Sequence, residues 1–184
     1  MTSFAIRSTV HKTKMPEEVS HDGVGWPVPP EPLSFGQVSL RFVRIFPGDE
    51  LRGFVPYYHF RILNVEGVDI GRINFRVGDT KHVLLCAGHI GYEISEPHRG
   101  HGFARQACRA LAPFVRSIYE SVIITCDPDN IASTRTIERL GADYLDEVPV
   151  APEEPAYQRG SRSKKRFQWK PDAGRINQWN RLNF

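Results

Sequence analysis

Apolar residues recur along the chain with two distinct periods. Alternating or short continuous apolar runs predict β-strands, whereas apolar positions three or four residues apart predict amphipathic helices. In chain order the pattern predicts strands over Val38–Phe46, Tyr57–Leu63, Val68–Val77 and His89–Ser95, a helix over 103–118, a strand over Val122–Thr125, a helix over 131–140, and strands over Tyr144–Val150 and Lys164–Trp169. This order is typical of an α/β fold built on a mixed sheet.

Turn and capping residues separate these segments. Asn64–Gly67 has the composition of a hairpin turn, Asn130 is a candidate N-cap, and Gly141 is placed where the second helix should stop. Pro113 lies inside the first helical pattern and lacks the N–H that an internal position needs. We therefore expect it to kink or shorten that helix.

The first 35 residues have no clear period, and prolines at 27, 29, 30 and 32 exclude a helix over their last part. We interpret residues 1–35 as an N-terminal arm on the surface, with a short strand near Phe4–Thr9. A chain of 184 residues is long enough for one domain with a hydrophobic core. The predicted organisation is therefore the arm, a single domain over 36–175, and a C-terminal tail over 176–184.

Composition restricts the classes of partner. The net charge is only +3, which favours a local anion site over a broad nucleic-acid surface. No apolar run of about 18 residues is present, so no membrane span or membrane partner is expected. Cys86, Cys108 and Cys126 are odd in number and lie in or beside apolar runs, which indicates reduced thiols in a cytoplasmic compartment. A homodimer is left open.

A glycine-rich loop lies between the fourth predicted strand and the first helix, over Arg99–Arg105. Small residues let backbone N–H groups approach a large anion, and the helix points its positive dipole end at the same place. The loop fails the dinucleotide pattern because Arg105 stands where a third glycine is needed, and it lacks the Lys-Ser/Thr ending of a nucleoside-triphosphate loop. A tight turn without a ligand is the alternative.

The pattern Arg99-x-x-Gly102-x-Ala104 resembles the acetyl-CoA signature of the GNAT acetyltransferase superfamily. A second segment, Asn130-Ile131-Ala132-Ser133 followed by Gly141-Ala142, is similar to the family's second signature. The resemblance extends over about residues 56–150. It implies a mixed, mostly antiparallel sheet that splays between the fourth and fifth predicted strands, with flanking helices.

The same resemblance implies that acetyl-CoA is the co-substrate and lies in the gap between the splayed strands. The loop backbone would surround the pyrophosphate, and charged side chains at its two ends would add contacts. The fourth strand would pair with the pantetheine arm, and the Asn130 position would contact its amides, although a plain helix cap is the alternative for that residue. The expected cofactor-binding residues are Ile94, Arg99, Gly100, His101, Gly102, Phe103, Ala104, Arg105, Asn130 and Ser133.

The family chemistry requires a group that takes the amine proton and a group that stabilises the leaving thiolate. Glu93 or His89 on the fourth strand could act as base, and their ordinary alternatives are a salt-bridged and a buried structural residue. Many family members carry a tyrosine acid seven residues after the asparagine, where this chain has Ile137. Ser133 is the candidate replacement and Tyr144 a remote one. The predicted catalytic residues are thus Glu93, His89 and Ser133.

Two other groups of residues give weaker indications of function. His82, Cys86, His89, His98 and His101 do not have the spacing of a known metal-ligand set, so no metal is expected. The basic residues between 159 and 166 precede Phe167 and Trp169, which favours a loop that enters a half-buried strand over a nucleic-acid surface.

The sequence thus predicts an acetyl-CoA-dependent N-acetyltransferase that acts on a primary amine of a small molecule or peptide. The alternatives are a non-catalytic acyl-CoA-binding module, which the missing tyrosine allows, and a nucleic-acid-associated protein. The acceptor is not predicted, because Pro47–Pro56 is too short for the two helices that usually form the family's acceptor pocket.

Overall fold

The computed structural model describes residues 25–171. Within this range the chain forms two antiparallel sheets with helices between and beside them. The elements are β1 (Leu33–Phe35), β2 (Val38–Phe46), β3 (Tyr57–Asn64), β4 (Asp69–Arg76), β5 (Ile90–Ile94), α1 (Phe103–Arg116), β6 (Val122–Cys126), α2 (Ile131–Leu140), β7 (Asp143–Pro149), α3 (Pro155–Gln158) and β8 (Ser163–Trp169).

The first sheet has the order β1-β2-β3-β4-β5, with every neighbouring pair antiparallel. Tyr58, Phe60 and Ile62 on β3 are fully buried, and the residues between them are only half-buried, as the two-residue period of a strand requires. The predicted hairpin turn between β3 and β4 is confirmed: Asn64 Oδ1 accepts from the N–H groups of Glu66 and Val68.

The second sheet has the order β6-β8-β7 and is also antiparallel. Phe167 and Trp169 on β8 are buried. Arg166, the last residue of the basic segment, is buried as well. Its guanidinium forms a bidentate pair with Asp146 at 2.6 and 2.5 Å. The basic segment therefore enters the second sheet, as expected, and the charge of Arg166 is neutralised within the protein.

Helix α1 packs on the first sheet through its apolar face. The Phe114 ring lies edge-on to the rings of Tyr58 and Phe75, with centroids 4.8 and 5.6 Å away. The helix continues through Pro113 to Arg116, so the proline does not shorten it. Burial of Phe114 and Val115 after the proline outweighs the hydrogen bond that Pro113 cannot make.

The two sheets meet where β5 and β6 begin. Among the described residues, the main-chain bond between them runs from the N–H of His89, just before β5, to the carbonyl of Ile123 in β6, at 2.7 Å. Beyond this junction β5 pairs with β4 and β6 pairs with β8, so the two strands separate toward their carboxyl ends. The predicted α/β fold with a sheet splayed between these strands is confirmed.

Several features differ from the sequence-based expectation or add to it. Leu33–Phe35, inside the predicted arm, forms the edge strand β1. Residues Val83–Ala87 form a π-helical turn that the apolar period did not indicate. A short 3₁₀ turn over Glu50–Arg52 is the helical element between β2 and β3. The expected strand near Phe4–Thr9 and the tail over 176–184 lie outside the described residues. No helix in the described range is long and apolar enough to cross a membrane.

Candidate active site

A cavity of about 500 Å³ lies between the separating ends of β5 and β6. Its walls come from β5, from the start of α2, from the π-helical turn and from the segment around α3. The lining residues are Phe54, Arg76, His82, Cys86, Ala87, Ile90, Gly91, Tyr92, Thr125, Cys126, Asp127, Asn130, Ser133, Pro155, Ala156, Arg159 and Lys164. The β5 part of the wall is the first half of that strand and the β6 part is its carboxyl end, so the cavity begins beside the junction of the two sheets and extends into the gap between the strands.

The glycine loop lies at the N-terminus of α1, directly after β5. Gly100 and Gly102 have φ values of +85° and +74°, and a Cβ built on either glycine would meet no atom within 4 Å. Within residues 25–171 no side chain caps α1, so the N–H groups of its first turn, over 103–105, are available to an external acceptor. The loop therefore fits a phosphate group: it has open space, unpaired donors and the positive end of a 14-residue helix.

The structure separates the predicted cofactor-binding residues into two groups. Asn130 and Ser133 line the cavity, whereas the residues from Ile94 to Arg105 do not. Ile94 is buried at the end of β5, and its carbonyl accepts from Arg99 Nε at 3.0 Å, which ties the loop to the strand. Arg99, Gly100, His101, Gly102 and Arg105 are exposed, and Phe103 and Ala104 are half-buried.

Asn130 acts as a helix cap. Its Oδ1 accepts from the N–H of Ser133 at 3.0 Å, which satisfies one of the free donors at the start of α2. The plain capping role considered from the sequence is therefore present in the structure. Since Oδ1 is used in the cap, the side-chain NH₂ of Asn130 is the part of the amide that can donate toward the cavity.

His89 holds the junction of the two sheets. The residue is fully buried, and its Nδ1 accepts from the N–H of Ile123 at 3.0 Å. An accepting nitrogen carries no proton, so Nε2 holds the ring proton and donates to Asp79 Oδ1 at 3.1 Å. With both nitrogens occupied and no access to the cavity, His89 has a structural role, and its expected role as base is corrected.

Glu93 lies away from the cavity. It forms an exposed ion pair with Arg72 on the neighbouring strand at 2.6 Å, with more than half of each side chain accessible. It is also absent from the cavity wall, although Gly91 and Tyr92 on the same strand belong to it. The geometry therefore does not support Glu93 as the group that takes the amine proton; it matches the salt-bridged alternative.

Tyr92 is a candidate site residue that the sequence analysis did not single out. Its hydroxyl is buried and has no hydrogen-bond partner among the described residues. Burial raises the pKa of this hydroxyl, and the nearby Ser133 and Thr136 side chains lower it by a smaller amount. Tyr92 thus lines the cavity as a residue and holds a protonated, enclosed hydroxyl close to Ser133 and Thr136 of α2.

A second group that the sequence did not reveal lies on another part of the wall. His82 Nδ1 and Glu154 Oε2 are 2.7 Å apart, and each side chain is 17% exposed. The Cys86 thiol joins them, and the three ligand-type atoms lie within 4.8 Å of one another. Burial, and next the Glu154 carboxylate, raise the pKa of Cys86 to about 11, so this thiol is protonated at neutral pH and is a poor nucleophile.

The structure does not bring together the five histidine and cysteine residues that the sequence analysis considered as a metal-ligand set. His82 and Cys86 come together, but with Glu154, while His89 is occupied at the sheet junction and His98 and His101 lie in the loop before α1.

The remaining cavity wall is basic. Lys164 binds Asp127 at 2.8 Å, and the hydrogen bonds from Lys164 and Ser161 outweigh the effect of burial and hold the pKa of Asp127 below its usual value.

Three solved structures are similar to part of this chain. The ribosomal L7/L12 alpha-N-protein acetyltransferase RimL, in its apo form, is 19% identical, with 64% of this chain and 72% of that chain covered and a TM-score of 0.49. The ribosomal-protein-S5-alanine acetyltransferase of Vibrio fischeri is 16% identical over 64% of this chain and 63% of that one, with a TM-score of 0.49. The microcin C7 self-immunity acetyltransferase MccE, in complex with acetyl-CoA and AMP, is 19% identical over 62% and 61%, again with a TM-score of 0.49.

The aligned part spans less than two thirds of the second and third of these proteins. No curated protein sequence matches the chain significantly. The family model for the acetyltransferase (GNAT) domain, however, matches residues 12–143, which is well over half of the chain. The matched range includes the glycine loop, the splayed strands and the Asn130 cap. The chain therefore belongs to the GNAT family of N-acetyltransferases.

Proposed function

We propose that this protein transfers the acetyl group of acetyl-CoA directly to a primary amine of a small molecule or peptide. The observation that supports this most is the cavity between β5 and β6, with the uncapped N-terminus of α1 at the end of the same strand. A phosphate-bearing donor with a long flexible arm suits this combination, because its phosphates can bind at the exposed N-terminus of α1 while its reactive end lies in the cavity. All three cysteines are buried and unpaired, which agrees with a cytoplasmic location.

The pyrophosphate is proposed to lie against the loop. The N–H groups of Phe103, Ala104 and Arg105 would donate to it, and the exposed guanidinium of Arg105 and the terminal nitrogens of Arg99 would add charge-assisted contacts. Gly100 and His101 complete the loop, and Gly102 leaves the open space that the phosphates need. Ile94 would place the adjoining backbone of β5 beside the pantetheine arm, and the Asn130 NH₂ would donate to an arm carbonyl.

The leaving thiolate requires a donor that Ile137 cannot supply. We place the hydroxyls of Ser133 and Tyr92 in this role, because both side chains line the cavity and lie beside each other at the start of α2. Acetyl-CoA supplies an activated thioester, and the protein has to stabilise the charge that appears on sulfur as the C–S bond breaks. The Tyr92 hydroxyl has no hydrogen-bond partner among the described residues, so a bond from it to the thiolate would replace no other hydrogen bond.

Substitution Tyr92→Phe tests this role with two measurements. We expect kcat to fall about 10- to 100-fold, because one donor to the thiolate is lost. We also expect the free energy of unfolding without ligand to stay the same or rise by about 1 kcal/mol, since the change removes a buried polar atom that has no partner. Urea denaturation and steady-state kinetics measure the two quantities. A normal kcat with lower stability would mean that the hydroxyl serves the fold alone.

The function itself is tested by binding and by turnover. We expect acetyl-CoA to raise the melting temperature, and we expect thiol release to depend on the presence of an amine from a panel of small amines and N-terminal peptides. Stabilisation without thiol release for any amine would favour the non-catalytic acyl-CoA-binding module. A melting temperature that does not change in millimolar acetyl-CoA would refute both functions.

A further inference from the structure

We propose that His82 and Glu154 form the general-base dyad that takes the proton of the acceptor amine. The inference rests on the proposed acetyl transfer and adds the step for which neither His89 nor Glu93 is suitably placed. It assigns the part of the cavity next to the π-helical turn and α3 to the acceptor.

The geometry of the pair determines which ring nitrogen can act. Glu154 Oε2 lies 2.7 Å from His82 Nδ1, and an ionised carboxylate can only accept a hydrogen bond. The ring proton of neutral His82 is therefore on Nδ1, and Nε2 carries the lone pair. A base whose second nitrogen is oriented by a carboxylate is a recurrent arrangement in acid–base catalysis, because the carboxylate fixes the tautomer and stabilises the cation that forms.

The surroundings of the pair fit a reacting group better than a surface ion pair. Both side chains are 17% exposed, which is partial access of the kind a substrate needs. The Phe54 ring packs against the imidazole with centroids 4.6 Å apart. His82 lines the same cavity as Ser133 and Tyr92, so the proposed base and the proposed thiolate donors open onto one space.

The charged groups around the dyad come from several elements. Arg76 projects from β4, Arg159 follows α3 and Lys164 lies on β8, and all three line the cavity. Cys86, one helical turn after His82, is a protonated thiol at neutral pH and adds no charge. Asp127 also lines the cavity and pairs with Lys164 at 2.8 Å, and the Glu154 carboxylate compensates the charge that arrives with the proton.

The step balances without a further reactant. The protonated primary amine loses one proton to His82 Nε2 and uses the freed electron pair to form the C–N bond to the acetyl carbonyl carbon, whose π electrons move onto the carbonyl oxygen. When this tetrahedral adduct collapses to the amide, the nitrogen releases its second proton to the departing sulfur or to solvent and becomes neutral. The C–S bond breaks, and its electron pair leaves on the thiolate, which receives hydrogen bonds from the cavity hydroxyls. The proton on His82 then passes to solvent, and the imidazole returns to its Nδ1-protonated form.

The test uses His82→Gln in the full-length protein, with His59→Gln as matched control. His59 also bonds a side-chain oxygen through Nδ1, to Asn74 at 2.7 Å, but it lies outside the cavity wall. We expect kcat/KM of His82→Gln to fall about 100-fold or more at neutral pH. Any decrease of kcat/KM toward low pH that reflects protonation of this base should disappear in His82→Gln and persist in the control, because the glutamine side chain cannot accept the amine proton.

Glu154→Gln provides a second, milder change. The amide oxygen still accepts from Nδ1–H but carries no charge, so we expect a loss of about 10-fold, and the double variant should be no slower than His82→Gln alone. Additive losses, or an unchanged pH profile in His82→Gln, would overturn the dyad. Activity lost on dialysis against a chelator and restored by Zn²⁺ would also overturn it, because the three residues would then be metal ligands.

Acetyl-CoA binding separates failure of the dyad from failure of the function. Each variant should retain the wild-type shift of melting temperature in acetyl-CoA, since none of the substituted residues lies in the phosphate loop. If the wild-type protein is stabilised and turns over while His82→Gln is equally fast, the dyad alone is refuted. If the wild-type protein neither binds acetyl-CoA nor releases thiol, the proposed function fails first.

Discussion

Gly102→Asp is expected to abolish the stabilisation of the protein by acetyl-CoA. A ligand at about 100 times its Kd stabilises the folded state by about 2.7 kcal/mol, and this whole increment should be lost. The aspartate side chain would enter the open space in front of α1 and place a negative charge where the pyrophosphate is proposed to bind. Differential scanning fluorimetry with and without acetyl-CoA measures the effect directly.

Two companion variants separate charge from backbone strain. Gly141→Asp introduces the same side chain at another cap glycine, which also has a positive φ of +82° and no atom within 4 Å of a Cβ, but follows α2. It should lose a similar amount of intrinsic stability and keep the full response to acetyl-CoA. Gly102→Asn adds similar bulk without charge and should keep part of the response. A Gly102→Asp protein with the wild-type response would exclude this loop as the phosphate site.

His89→Ala is expected to lower the free energy of unfolding by about 3 kcal/mol. The change removes the acceptor of the buried Ile123 N–H and leaves that donor without a partner, which costs about 1–3 kcal/mol by itself. It also removes the donor to Asp79 and the ring that packs on Tyr119 with centroids 5.0 Å apart. Urea denaturation monitored by circular dichroism gives the value.

The control for this change is His59→Ala, which removes a half-buried imidazole from the first sheet and should cost far less. Steady-state kinetics of His89→Ala, measured at a temperature at which this variant remains folded, provide a second test of whether His89 acts as the base. The pH profile of kcat/KM should keep its wild-type shape in His89→Ala, because the ring is closed off from the cavity. If kcat/KM of His89→Ala no longer decreased toward low pH while the stability of the variant was normal, His89 would again be the candidate base.

The regular elements of the fold were accessible from the sequence because they depend on local patterns. The strands of the first sheet alternate apolar and polar residues, and the Asn130 cap and Gly141 stop are local signals that the structure reproduces. The π-helical turn over Val83–Ala87 was not accessible, since a short apolar run is equally compatible with a strand. Pro113 stays inside α1 because of packing with residues far away in the chain, which no local rule includes.

In the candidate site, too, the sequence revealed the residues that form one continuous segment and missed those that meet only in the folded chain. The glycine loop is one continuous segment, so its chemistry is visible in the order of its residues. His82 and Glu154 are 72 positions apart and meet only because the π-helical turn and the start of α3 line one cavity. Tyr92 shares its strand face with Ile90 and Ile94, and the alternation of the strand gave no indication of its unpartnered hydroxyl.

The junction at His89 also has a mechanical consequence. The two walls of the cavity belong to different hydrogen-bond ladders, and among the described residues one main-chain bond connects them at their common origin. A rotation about that point changes the width of the gap without breaking a bond of either ladder. The width of the groove is therefore set by the packing of the hydrophobic core that the two sheets share, and a molecule that contacts both walls would add a second link between the two ladders.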